Sequence, residues 1–141
     1  MCIHIDAQEK AEYFDSYGFP PPRPEFIKFM QRNSKIWTYN PIGLQSFDSN
    51  VCGEYCAVYL FFKTQHYTLK DFLALFSNDR NNNDTIIKYL YSRIFLGKCR
   101  RTIIKKAIRK TPHILPLIKT FTDHIYNTTY NGKFANLFVI G

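Results

Sequence analysis

A chain of 141 residues, 45% hydrophobic and 21% charged, is long enough for one packed core and too short for a multidomain enzyme, and its composition excludes an intrinsically disordered or collagen-like protein. The net charge of +8 is uneven: residues 1–50 hold 5 Lys/Arg against 6 Asp/Glu, residues 51–96 hold 5 against 4, and residues 97–141 hold 9 against 1. No apolar run reaches the roughly 20 residues that span a bilayer, and no basic-then-apolar leader opens the chain, so the expectation is a soluble intracellular protein, cytoplasmic or nuclear, without membrane contact. The charge break divides the chain into a near-neutral body, residues 1–96, and a basic extension, residues 97–141, helical at first.

Residues 2–7 alternate apolar and polar, and Ala11 to Tyr17 does the same across the polar turn Gln8-Glu9-Lys10, which predicts a β-hairpin. Gly18 and Pro20-Pro21-Pro22 with Pro24 end its second strand, because proline lacks the N–H that a ladder needs. Residues 24–33 place Phe26, Phe29 and Met30 at helical spacing behind Pro24 and Glu25. Ile36 to Tyr39 reads as a short strand. A polar loop, Ile42 to Asn50, leads into the apolar stretch Cys52 to Phe62. That stretch suits a buried helix or a core strand; Gly53 and Glu54 near its start, with Ser49 or Asn50 as cap, favour the helix. Thr68-Leu69-Lys70-Asp71 has capping-box spacing and opens a helix to Phe76. Asn81-Asn82-Asn83-Asp84-Thr85 caps a helix from Ile86 to about Phe95, and Gly97 stops it. Lys98 to Lys110 is a basic helix candidate, and Pro112, Pro116 and Gly132 break the remainder into short pieces ending with Phe134 to Ile140.

Chemistry concentrates where the polar loop meets the helix, at Leu44-Gln45-Ser46-Phe47-Asp48-Ser49-Asn50-Val51-Cys52-Gly53-Glu54-Tyr55-Cys56. The start of a helix presents unpaired N–H groups and a partial positive charge, conditions that favour thiolate over thiol. The same N–H groups can receive the oxyanion formed when a thiolate attacks a carbonyl, and a Gln side chain can add a donor. Gly53 leaves room for a substrate backbone. The cysteines at 2, 52, 56 and 99 lack the spacing of a disulfide scaffold, and Cys52-x-x-x-Cys56 has no second pair at zinc-finger spacing. No metal and no cofactor is expected, and Cys56 reads as a small buried apolar side chain.

Two blocks resemble the cysteine proteases of the adenovirus protease (adenain) type, relatives of the SUMO-specific proteases, in the form carried by large DNA viruses and transposons. One block is Glu12-Tyr13-Phe14-Asp15-Ser16-Tyr17-Gly18 followed by prolines. The other is Leu44-Gln45-Ser46 with Ser49-x-Val51-Cys52-Gly53-Glu54-Tyr55-Cys56. The resemblance runs in order over residues 1 to about 80. It implies an α+β, cysteine-proteinase-like fold, a small antiparallel or mixed sheet packed on the helix that begins at Cys52, with additional C-terminal helices. It further implies a cysteine-type endopeptidase acting on a polypeptide substrate, with Cys52 as nucleophile, Gln45 as oxyanion-hole side chain and Asp15 as the acid that orients the histidine.

The chain departs from that pattern in its histidines. The family's histidine precedes the acid by more than the fourteen residues found before Asp15, and His4 falls too far along its strand to reach Cys52. His66, His113 and His124 follow the nucleophile, where this order of residues has no base. The expectation is therefore a fragment that begins after its histidine, or a degenerate copy, with weak or absent peptidase activity. A different reading rests on the extension: Lys98, Arg100, Arg101, Lys105, Lys106, Arg109 and Lys110 could contact phosphates, making the chain a non-catalytic DNA-binding or protein-interaction module on a protease-like scaffold. The same charges flank Ile103, Ile104, Ala107 and Ile108 as on any amphipathic helix. Asn127-Thr128-Thr129 is a formal glycosylation triplet with no other sign of secretion.

Overall fold

Asp6 closes the N-terminal hairpin. Its Oδ1 accepts the backbone N–H groups of Gln8 and Lys10, each at 2.9 Å, and Glu9 takes a left-handed φ of 60°, so β1 (Cys2–Ile5) turns back as β2 (Lys10–Phe14) in antiparallel register. β3 (Ile36–Tyr39) joins the other edge of β2 in parallel, giving a three-stranded mixed sheet in the order β1-β2-β3. A parallel neighbour requires a crossover, which α1 (Pro24–Asn33) supplies. The computed structural model describes residues 1–96, Arg109, Pro112, His113 and residues 115–120. The remaining elements are α2 (Cys52–Thr64), α3 (Leu69–Leu73) and α4 (Arg80–Phe95), with a further helical stretch at residues 115–120.

Alternation along β2 builds a layer on each face of the sheet. Ala11 and Tyr13 pack with Met30 of α1, whereas Phe14 faces α2 and stacks on Tyr59 with ring centroids 4.5 Å apart. Phe72 of α3 closes this second layer, meeting the rings of Phe14, Tyr59, Phe62 and Phe76 at 5.1 to 5.5 Å. α2 is apolar on most of its surface because it is enclosed by the sheet, α3 and α4: Tyr55, Val58, Tyr59, Phe61 and Phe62 are all buried. Ile118, C-terminal to the charge boundary at residue 96, is also buried in this core.

The architecture is α+β, with the sheet packed on the helix headed by Cys52. Several local expectations are corrected. β2 ends at Phe14 rather than Tyr17, because the next residues turn, with Gly18 N–H donating to the Asp15 carbonyl at 2.9 Å. Neither Ser49 nor Asn50 caps α2; Val51 is its N-cap residue and no side chain caps it. The capping box of Thr68 and Asp71 forms, but its helix stops at Leu73 instead of Phe76. α4 begins at Arg80, capped by Asp79, six residues before the expected start. In α1 only Met30 is buried, and Phe29 is exposed. The Lys98–Lys110 helix, apart from the exposed Arg109, and the Phe134–Ile140 piece lie outside the described residues.

Gly18 is where glycine is required. Its φ is +78°, and a Cβ would stand 2.6 Å from the Gly43 nitrogen and 2.7 Å from the Ile42 carbonyl carbon, both backbone. Gly53, inside α2, has nothing within 4 Å of its would-be Cβ. Gly18→Ala is expected to cost on the order of 2–4 kcal/mol by urea denaturation, while Gly53→Ala should be neutral or stabilising by up to about 1 kcal/mol.

Candidate active site around Cys52

The loop between β3 and α2 has no regular ladder, so its backbone groups must be satisfied by other means. Ser16, in the turn after β2, does much of this. Its carbonyl accepts the N–H groups of Leu44 and Gln45 at 2.8 and 3.0 Å, and its hydroxyl donates to Gln45 Oε1 at 2.7 Å. The first turn of α4 holds the loop from the other side. Asn83 donates to the carbonyls of Leu44 and Ser77 at 3.1 and 2.8 Å and accepts from Ser77 N–H at 2.9 Å. Asp84 accepts the Tyr55 hydroxyl at 3.0 Å and the Ser46 N–H at 3.3 Å. Burial, with Asp84 adding to it, pushes the Tyr55 phenol far up, so it stays a neutral donor.

Gln45 is fully buried. Its Nε2 donates to the carbonyl and hydroxyl of Ser49 at 3.0 and 3.1 Å. Its carboxamide therefore ties the β2 turn to the residues just before α2. Cys52 is the first residue of α2 and is exposed. The first-turn N–H groups behind it receive no side-chain cap, because the Ser49 hydroxyl is used within the loop, donating to the Ser46 carbonyl at 3.1 Å. The residues that follow Cys52, Gly53, Glu54 and Ala57, line a groove of about 420 Å³ with Tyr91 and Phe95 of α4.

Asp15 follows β2 directly and accepts the Tyr17 N–H at 3.2 Å through Oδ1. Its charge acts on Met1, Cys2, Tyr13 and Cys56. Cys56 lies one helical turn beyond Cys52, so Asp15 faces the opening turns of α2. Cys56 packs against the main core, only partly buried, and Cys2 and the Met1 ammonium lower its thiol pKa. Burial works against the Met1 ammonium, but Cys56, Cys2 and Asp15 around it keep its pKa raised.

His4 is half-buried on β1, paired with Glu12 and close to Lys63. Lys63 lies eleven residues past Cys52 on α2, about 16 Å along the axis, so His4 serves the far end of that helix. His66, with a left-handed φ of 65°, follows the same end. Glu12 binds both the Tyr59 hydroxyl and Lys63, the latter at 3.0 Å. His113 is exposed, and His124 lies outside the described residues.

One feature escaped the sequence reading. Phe47 is 68% exposed, stacks on Tyr17 with centroids 5.5 Å apart and planes 3° from parallel, and carries the Arg80 guanidinium 4.9 Å above its ring. This aromatic wall flanks the Gln45 loop. A large apolar residue inside an otherwise polar loop was the available signal. Among the described residues no cluster of three metal-ligating side chains occurs, and no helix is long and apolar enough to cross a membrane.

Removing Asn83 takes one of two donors from the buried Leu44 carbonyl, which keeps the Tyr55 hydroxyl at 3.4 Å, and strips the half-buried Ser77 N–H and carbonyl of their Asn83 partners. Asn83→Ala is expected to lower unfolding free energy by about 2–4 kcal/mol and to expose the 42–51 loop to limited proteolysis. His4 gives a pH signature. Burial, then Lys63, lowers its pKa below 6.5, against the opposing pull of Glu12 and Asp6; its contribution is whole above pH 6.5 and lost as pH falls through the folded-state value. Stability measured across that window should fall less steeply in His4→Gln than in the unaltered chain. No family model, no curated protein and no solved structure matches this chain.

Proposed function

We propose that the chain is a cysteine-type endopeptidase of the adenain and SUMO-protease type, with Cys52 attacking a peptide or isopeptide carbonyl. The observation that carries this reading is an exposed cysteine opening a buried helix whose first turn has no side-chain cap. The attacking thiolate would form a tetrahedral adduct whose oxyanion meets those first-turn N–H groups, and collapse to a thioester would release the amine before water frees the acid. Support also comes from Gln45, which binds Ser49 just before the helix start, and from Asp15, whose charge reaches Cys56 one turn into the helix. Gln45 acts as a positioning residue here, since its Nε2 is turned to Ser49. The groove at Gly53 and the Tyr17–Phe47 wall both offer apolar contact to an extended polypeptide.

Among the described residues, His4 and His66 belong to the far end of α2 and neither serves Cys52 as general base, so this chain is a weak or silent enzyme. That same observation favours a second reading, a non-catalytic module that binds DNA or protein through its basic extension, whose Lys98, Arg100, Arg101, Lys105, Lys106 and Lys110 lie outside the described residues.

Hydrolysis of an activated ester separates the two. Turnover is expected to be slow, to rise several-fold with added imidazole, and to drop to background in Cys52→Ala. Turnover unchanged by Cys52→Ala would overturn the peptidase reading, whereas robust turnover abolished by His4→Ala would overturn only the expectation of a weak or silent enzyme. A salt-sensitive gel shift on duplex DNA, lost when residues 97–141 are removed, supports the second reading; no shift at low salt removes its DNA-binding form.

A further inference from the structure

Cys2 and Cys56 are brought together from different elements. Cys2 begins β1 and pairs with Phe14 across the hairpin. Phe14 stacks on Tyr59, which lies three residues beyond Cys56 and therefore on the same side of α2. The strand pairing and the ring stack thus bring the two cysteines to the same side of α2, where each thiol shifts the titration of the other. Both are half-buried against the main core, close enough to the surface for a small reagent to reach.

We propose that Cys2 and Cys56 are a thiol modification site that closes to a reversible disulfide, tying β1 to α2, by exchange with a small-molecule disulfide of the glutathione type. The site is separate from Cys52 and does not depend on peptidase activity.

The Cys56 thiolate attacks one sulfur of the small disulfide. That S–S bond breaks, one glutathione thiolate leaves, and Cys56 carries the mixed disulfide. Cys2 then loses its proton to solvent and attacks the Cys56 sulfur, expelling the second glutathione thiolate. Two protein thiols lose two electrons in total, the small disulfide gains them, and both released protons end on glutathione.

The division of labour follows from the surroundings. The hydrogen bond from Cys2 brings the Cys56 thiol down to about 7, against burial, with the Met1 ammonium assisting and Asp15 opposing. Cys2 is pushed far up by the hydrogen bond to Cys56 and then by burial, against the pull of the same ammonium. Tyr59 beside the pair and Tyr13 on the other face of the sheet have raised pKa values and stay neutral. Cys56 is the attacking sulfur and Cys2 the resolving one.

The test is to incubate the reduced full chain with oxidised glutathione and map peptides without reduction. A Cys2–Cys56 cross-linked peptide should become the main product, with the chain lighter by two hydrogens, at a rate that rises through pH 7. Cys52→Ser should leave this unchanged, and Cys2→Ser should retain a glutathionyl group on Cys56. Glutathione found only on Cys52 or Cys99, a disulfide joining Cys2 to Cys52, or a stable glutathionyl group on Cys56 in the unaltered chain would overturn the proposal. The unaltered chain's map decides the matter even if a variant fails to fold.

Discussion

The candidate site depends on a small buried polar layer that holds a loop without regular structure. Residues 40–51 can neither form a ladder nor coil into a helix, so their backbone groups are met by Ser16 on one side and by Asn83 and Asp84 on the other. Each of these partners is buried, where an unpaired donor or acceptor costs far more than a paired one contributes. The loop is consequently held from two sides. Gln45 completes the arrangement by binding Ser16 with its oxygen and Ser49 with its nitrogen.

That constraint sets what α2 can present. Ser49 and its neighbours are used up in holding the loop, so the helix starts at Cys52 with Val51 as a cap residue that offers no side-chain acceptor. An uncapped first turn is ordinarily a small liability, worth roughly 1 kcal/mol. Here the enclosure of α2 by aromatic rings from β2, α3 and α4 outweighs it. The result is a helix whose body is secured by burial and whose first turn lacks a side-chain acceptor beside an exposed thiol.

The opening turns of α2 also carry a second sulfur environment. Cys56 lies one turn from Cys52 but faces β1, Asp15 and Met1 instead of solvent alone. Two cysteines four residues apart on one helix are thus chemically distinct. One is exposed and precedes the groove-lining Gly53; the other is half-buried and titrates under the influence of a second thiol and a carboxylate.

What the amino-acid sequence determined by itself was local. Pro24 at the first turn of α1, the Thr68–Asp71 capping box, the alternation of the hairpin and the apolar run from Cys52 all write secondary structure in short-range chemistry, and the α+β class followed from them. Its boundaries failed where tertiary contacts intervened. Asn83 and Asp84 look like part of a cap because they are polar and clustered, yet they are buried inside α4, since the loop they serve lies 39 and 38 residues away. The same limit applies to the site. Cys52 and Gln45 stood out by residue type at a helix start and Asp15 through a family resemblance, but only the folded chain decided that Gln45 is wholly buried and turned to Ser49, that His4 serves the far end of α2, and that Cys56 lies near Cys2. Those outcomes rest on burial and on hydrogen bonds between residues distant in sequence, and no short window of the chain encodes them.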